Sequence, residues 1–289
     1  MEIVLTGALG KLGGVLWRAW SDHHEVHSLR RDMADLRHPE RLSRYLEGIS
    51  FDALVNCAAM TRPEECEACP ADAYQVNTEA PGRLAEICQE RGARMVHLST
   101  DYVLDGRTPG LKDEHAPVAP INHYGVTKLE GERRVLECDP NAVVCRVSWL
   151  FGTTPPGFIE QILTRARAGE DLEAVADKFS MPTCAQEIAD VLERLLDRPD
   201  LSGIFHLTHL GEPQSWWSCA TRTMELACEL GLLDEVKEVR RRRMAELPQL
   251  EVPRPVHTAM KPTRLANELD WPVQRWEEAV RRRLERLLD

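Results

Sequence analysis

The stretch "EIVLTGALGKLGGVLWRAW", residues 2–20, decides the fold. A short β-favouring run passes into a glycine-rich turn and then into apolar residues at helical spacing. Gly7, Gly10 and Gly13 stand directly between strand and helix, the context in which a GxxGxxG spacing carries meaning. Gly7 permits a tight turn, Gly10 lets backbone approach a pyrophosphate, and Gly13 lets the helix pack on the strand. The start of the helix, at Lys11 and Leu12, presents free N–H groups and the positive end of its dipole to phosphates.

Outward from this turn, strands alternate with helices. "EVHSL" (25–29), "DALVNCA" (52–58), "RMVHLST" (94–100) and "AVVCRVS" (142–148) read as strands, and "PERLSRYLEGI" (39–49) and "AYQVNTEAPGRLAEICQERG" (73–92) as helices. The near-continuous apolar strands suit a sheet covered on both faces. The pattern predicts an α/β fold with a Rossmann-type doubly wound parallel sheet over residues 1–150. After residue 150 "TTPPG" (153–157) breaks the rhythm. Helices then dominate, with short strand candidates at "LEAVA" (172–176) and "GIFHLT" (203–208), a Pro-rich loop over 244–263, and an amphipathic terminal helix. "SWWSCATRTMELAC" (215–228) reads as an amphipathic helix facing a core. Residues 151–289 are expected to form a smaller substrate-binding lobe, with the chain free to cross back to the first.

The bulk properties narrow the function. A hydrophobic fraction of 43% over 289 residues is enough for an unstapled core. A formal charge of −11 argues against general affinity for nucleic acid or anionic lipid. The basic runs "RRRR" (240–243) and "RRRLER" (281–286) lie beside acids at helical spacing and read as solvated helix faces. No apolar run approaches a membrane span, and the N-terminus has no signal-peptide pattern, so a cytoplasmic protein is expected. Nine cysteines then read as thiols, and Cys66 and Cys69, a lone CxxC, as two thiols on a helical turn.

Cofactor preference is written at the end of the second strand. "SLRRD" (28–32) puts Ser28, Arg30 and Arg31 where an acid would bind a ribose 2′-hydroxyl; guanidinium groups suit a 2′-phosphate instead. NADPH is therefore expected as cofactor, with NADH the alternative. In "HYGVTKLEGE" (123–132), Tyr124 and Lys128 share a helix face. A cation one turn from a phenol stabilises its anion, which makes the phenol a usable proton donor near neutral pH. Ser99 and Thr100 close the strand before this helix, at the sheet edge where open α/β folds present their sites.

With these motifs in place the chain resembles the extended short-chain dehydrogenase/reductases. "STDYVLDG" (99–106), "PINHYGVTKLEGE" (120–132), "RVSWLFG" (146–152), "KFSMPTCAQEIAD" (178–190) and "RPVHTAMKPTRL" (254–265) resemble the dTDP-4-dehydrorhamnose reductase family within that group. The resemblance implies hydride delivery from NAD(P)H to the 4-keto carbon of a nucleotide-linked 6-deoxyhexulose. It implies Tyr124 as proton donor, Lys128 as the cation that lowers its pKa and holds the ribose, and Thr100 as the hydroxyl on the carbonyl oxygen. It further implies Asp35 and Leu36 at the adenine and Ala58, Ala59, Asn77 and Ser99 at the cofactor, with Asn77 also supporting the site. Asp101, Trp149 and Arg254 would meet the nucleotide sugar, Arg254 at its diphosphate. Thr258, Met260 and "KPTRL" depart from the family's usual late signature and put that grip in doubt. No acid cluster can be assigned to a bridging magnesium, so no metal is expected, and a homodimer is left open. The alternatives are a non-catalytic NADP-binding subunit like that of methionine adenosyltransferase, or a related nucleotide-sugar epimerase or reductase.

Overall fold

A computed structural model describes residues 1–288. Its first half runs β1 (Glu2–Thr6), α1 (Lys11–Trp20), β2 (Glu25–Leu29), α2 (Leu42–Leu46), β3 (Ala53–Asn56), α3 (Pro63–Ala68), α4 (Pro70–Tyr74), α5 (Ala80–Arg91), β4 (Arg94–Thr100), α6 (His123–Cys138) and β5 (Val143–Val147). The second half runs β6 (Leu150–Phe151), α7 (Phe158–Arg167), β7 (Leu172–Val175), β8 (Phe179–Ser180), β9 (Thr183–Cys184), α8 (Ala185–Leu196), β10 (Gly203–Leu207), β11 (Gln214–Ser215), α9 (Trp216–Glu229), β12 (Val239–Arg242), α10 (Thr263–Glu268) and α11 (Trp276–Glu285).

Six parallel strands form the main sheet in the order β10-β5-β4-β3-β1-β2. Strands β2 and β3 lie on opposite sides of β1, so the order reverses beside it. Ligands of open α/β sheets bind in the crevice at such a switch point. Period-2 alternation sends side chains to two cores. Ile3, Leu5, Val55, Val96 and Cys145 meet α1 and α8; Val4, Leu54, Met95 and Val144 meet α2, α5 and α6. A third core, with Phe151, Leu163, Met181, Met224 and Val280, sits under α7, α9 and α11.

Three sequence expectations change. "GIFHLT" is no strand of a separate lobe: as β10 it is the sixth strand of the main sheet, parallel to β5, and α8 packs on the same sheet. The helix expected over 73–92 begins earlier and is broken. Cys69 leaves helical dihedrals before Pro70, and a π-helical turn at Gln75–Glu79 joins α4 to α5. The "RRRR" run is mostly strand β12, paired with β7, rather than a helix face. Arg240 pairs with Asp171 at 2.9 Å, and the Arg241 guanidinium lies 3.8 Å over the Trp217 ring. Among the described residues no helix is long and apolar enough to cross a membrane.

Candidate active site

The glycine turn closes against the far side of the switch point. A Cβ at Gly7 would lie 2.8 Å from the Ala58 amide nitrogen, and Gly7 adopts φ +69°. A Cβ at Gly13 would lie 2.2 Å from the Gly7 carbonyl oxygen. Both positions therefore exclude any side chain. Helix α1 starts at Gly10 with no side-chain cap, which leaves its first-turn N–H groups, at Lys11 and Leu12, facing an open groove. These features fit a dinucleotide's pyrophosphate.

On one side of the turn is a cavity of about 410 Å³, lined by Arg30, Arg31, Asp35, Leu36, Ala58 and Ala59 among others. Arg30 is paired with Asp32 at 3.2 Å, whereas Arg31 has no ion-pair partner among the described residues. Asp35 is held by Arg37, whose Nη2 lies 2.5 Å from Oδ2. Hydrogen bonding to that guanidinium lowers the Asp35 carboxyl to about 2 despite partial burial. Arg37, which the sequence reading missed, also reaches Asp72 at 3.5 Å.

The same turn opens on its other side into a cleft of about 960 Å³, lined by Thr100, Asp101, Tyr124, Lys128, Trp149 and Arg254. Tyr124 is buried, and its ring meets Tyr102 edge-on at 5.5 Å. Burial raises the phenol above its ordinary pKa; the Thr100 hydroxyl opposes the rise and Asp101 adds to it. Lys128, on the same helix face, does not hydrogen-bond the phenol. Its Nζ donates to Leu98 O at 2.7 Å and lies 3.1 Å from His97 Nε2.

Beneath Lys128 lies a buried ion pair. Arg146 on β5 grips Glu132 on α6 with Nε and Nη2 at 2.9 and 2.7 Å, and Ser99 donates to Glu132 Oε1 at 2.5 Å. Ser99 thus spends its hydroxyl on support. Asn77, in the π-helical turn, is buried and lines neither cavity. It brackets the Met60 backbone at 2.9 and 3.0 Å and donates to Thr127 at 3.1 Å, bracing the chain after β3 against α6.

Burial lowers the Lys128 ammonium to about 8, with Glu132 opposing the shift. The unfolded lysine keeps its proton up to about 10.5. Between these values the unfolded chain binds more protons, so this residue's contribution to stability rises with pH. Lys128→Met is expected to be more stable than the parent at pH 7 by roughly 1–3 kcal/mol. The difference should shrink as pH rises from about 8 toward 10.5. Urea melts at several pH values measure it, and a constant difference would contradict it.

The remaining wall is aromatic and acidic. Trp149 adopts φ +37°, a costly conformation for a bulky residue, and joins Phe158 and Trp216 in a cluster with ring centroids 5.4–6.3 Å apart. Trp216 lines the cleft as well as the lobe core, which its place in an amphipathic helix did not reveal. Arg254 is less available than the sequence suggested: Nη2 binds Glu64 at 2.7 Å and Nη1 binds Val252 O at 2.8 Å. Asp101 Oδ2 accepts from Thr258 at 2.5 Å and Ser148 at 3.1 Å. The family departure at position 258 therefore lands on a residue of the cleft.

This geometry can be set beside known proteins. The family model described as the RmlD substrate binding domain matches residues 1–288. The chain belongs to that family.

Within it, a dTDP-4-dehydrorhamnose reductase of Burkholderia thailandensis is 38% identical over 224 residues, 75% of each chain. A probable dTDP-4,6-dihydroxy-2-methyloxan-3-one 4-ketoreductase of Streptomyces antibioticus is 34% identical over 286 residues, 97% of this chain and 94% of the other. A crystal structure of dTDP-4-dehydrorhamnose reductase from Bacillus anthracis in complex with NADP aligns with a TM-score of 0.89 at 25% identity, over 99% of this chain and 100% of that one. The RmlD match takes in every residue that lines the cleft. Among the described residues the grouping nearest to a metal-ligand set is His23, His24 and Glu193, none of which lines the cleft.

Proposed function

We propose that the chain reduces the 4-keto group of a nucleotide-linked 6-deoxyhexulose with NADPH, dTDP-4-dehydrorhamnose being the first substrate to test. One observation carries this reading: Thr100, Tyr124 and Lys128 line a cleft that opens from the glycine turn. When bound, the dinucleotide supplies the hydride. Tyr124 is the proton donor to the developing alkoxide, and Thr100 hydrogen-bonds the carbonyl oxygen and fixes its approach. Lys128, held by Leu98 O and His97, has one N–H left over for the ribose. Burial keeps the phenol protonated until substrate arrives, which suits an acid rather than a base.

The smaller lobe holds the sugar nucleotide in this scheme, with the Trp149, Phe158 and Trp216 rings packing on apolar sugar or base faces. Asp101 accepts from sugar hydroxyls. Arg254 meets the diphosphate with the N–H groups not spent on Glu64 and Val252 O.

The deciding assay follows NADPH absorbance with the 4-keto sugar generated in situ by upstream enzymes, across dTDP-, UDP- and GDP-linked substrates. Turnover supports reduction. Absence of turnover with every keto sugar, with NADPH still bound, would leave a binding role. Arg31→Ala is expected to raise KM for NADPH about tenfold and leave NADH nearly unchanged, because the unpaired guanidinium serves the 2′-phosphate. Equal changes for both cofactors would assign that task elsewhere.

A further inference from the structure

His97 stands where strand alternation calls for an apolar residue. It follows Met95 and faces α6, is fully buried, and is joined on both sides. Its Nε2 lies 3.1 Å from Lys128 Nζ and its Nδ1 lies 3.0 Å from Asn56 Nδ2. Asn56 Oδ1 accepts from the Thr6 hydroxyl at 2.5 Å, and the Thr6 oxygen accepts from the Ala58 N–H at 3.1 Å. Lys128, His97, Asn56 and Thr6 thus form a polar string under the switch point. It crosses from α6 over β4 and β3 to β1, and ends on the cofactor groove.

We propose that His97 is a positioning residue for Lys128, and that this string runs in one of two hydrogen-bond directions set by whether Lys128 carries a proton. The inference builds on the function proposed above and adds a regulator of its lysine. It follows from counting hydrogens. A neutral imidazole has one N–H, so one of its nitrogens donates and the other accepts. If Lys128 is an ammonium, it donates to Nε2. Then Nδ1–H must donate to the Asn56 oxygen, the amide turns over, and its NH₂ donates to Thr6. The Thr6 hydroxyl hydrogen is freed for the groove. If Lys128 is a neutral amine, Nε2–H donates to it and the Asn56 NH₂ donates to Nδ1. Thr6 then donates to Asn56 Oδ1, the arrangement of the Asn56 amide seen here. The two states differ by one solvent-derived proton on Lys128 and by the imidazole tautomer.

A doubly protonated imidazole is disfavoured at this place. Burial and the neighbouring Lys128 charge both push His97 well below its ordinary pKa. The groups facing Lys128 are few. Glu132 lies one turn along α6 and is neutralised by Arg146 of β5; Cys57 follows β3, His97 is on β4, and Tyr124 is one turn back on α6.

The test uses ring-¹⁵N-histidine protein, free and with NADPH, with His97 assigned from its absence in His97→Gln. Long-range ¹H–¹⁵N spectra should show the imidazole proton on Nδ1 near pH 7 and on Nε2 above about pH 9. Lys128→Met should show one tautomer throughout. A single His97 tautomer across the range in the parent overturns the proposal. In turnover, His97→Leu should move the alkaline limb of kcat/KM down by about one pH unit, a roughly tenfold loss above the limb, because the ammonium loses an acceptor. His97→Gln, which keeps a partner for Nζ, should restore it. Unmoved limbs in both variants, with only thermal stability lowered, would reduce His97 to packing and overturn the proposal. Failure of every keto sugar to react would sink the proposed function alone, since the spectra do not depend on turnover.

Discussion

Tyr124→Phe is expected to lower kcat by about 10²–10⁴-fold while NADPH binding and the thermal midpoint stay close to those of the parent. The substitution removes one oxygen from a buried ring that keeps its packing against Tyr102. What is lost is the proton that must reach the substrate oxygen as the hydride arrives. Asp101 is committed to Thr258, Ser148 and Thr100. The Lys128 ammonium is turned toward Leu98 O and His97. Steady-state kinetics with cofactor titration separate the two effects. A kcat within about threefold of the parent would remove the phenol from the mechanism.

Glu132→Ala should cost about 3–5 kcal/mol of stability, read as a drop in the urea midpoint. Arg146 and Glu132 are 4% and 2% exposed, so neither can turn to water when its partner goes. Arg146 Nη1 already lacks a partner, and Ser99 would lose its acceptor in the same step. Because the pair lies under Lys128, the variant should also lose activity beyond its loss of fold. A penalty below about 1 kcal/mol would show that water enters and replaces the carboxylate.

The strands that carry the glycine turn and the Ser99–Thr100 edge were legible because apolar runs between turn signals have few other readings. Tyr124 and Lys128 were legible through helical spacing. What spacing could not show was the direction of each polar group. Ser99 and Asn77 share a region with the cofactor groove, yet their hydrogen bonds go to Glu132 and to the Met60 backbone. Arg254 was found and its partner was not, because Glu64 is 190 residues away. The "RRRR" run misled because its strand pairing is non-local: Arg240 stands opposite Glu173 of β7, far upstream in the sequence. His97 drew no notice, since one histidine inside an apolar strand looks like any core residue until its two ring nitrogens are seen to have partners.

Strand β10 closes the sheet with residues 203–207, some sixty positions after the strand it covers. While the ribosome is still making that interval, β5 has one side unguarded, a ready template for another chain. Fragments that stop near residue 150 should therefore clump during expression rather than fold as a free-standing nucleotide binder.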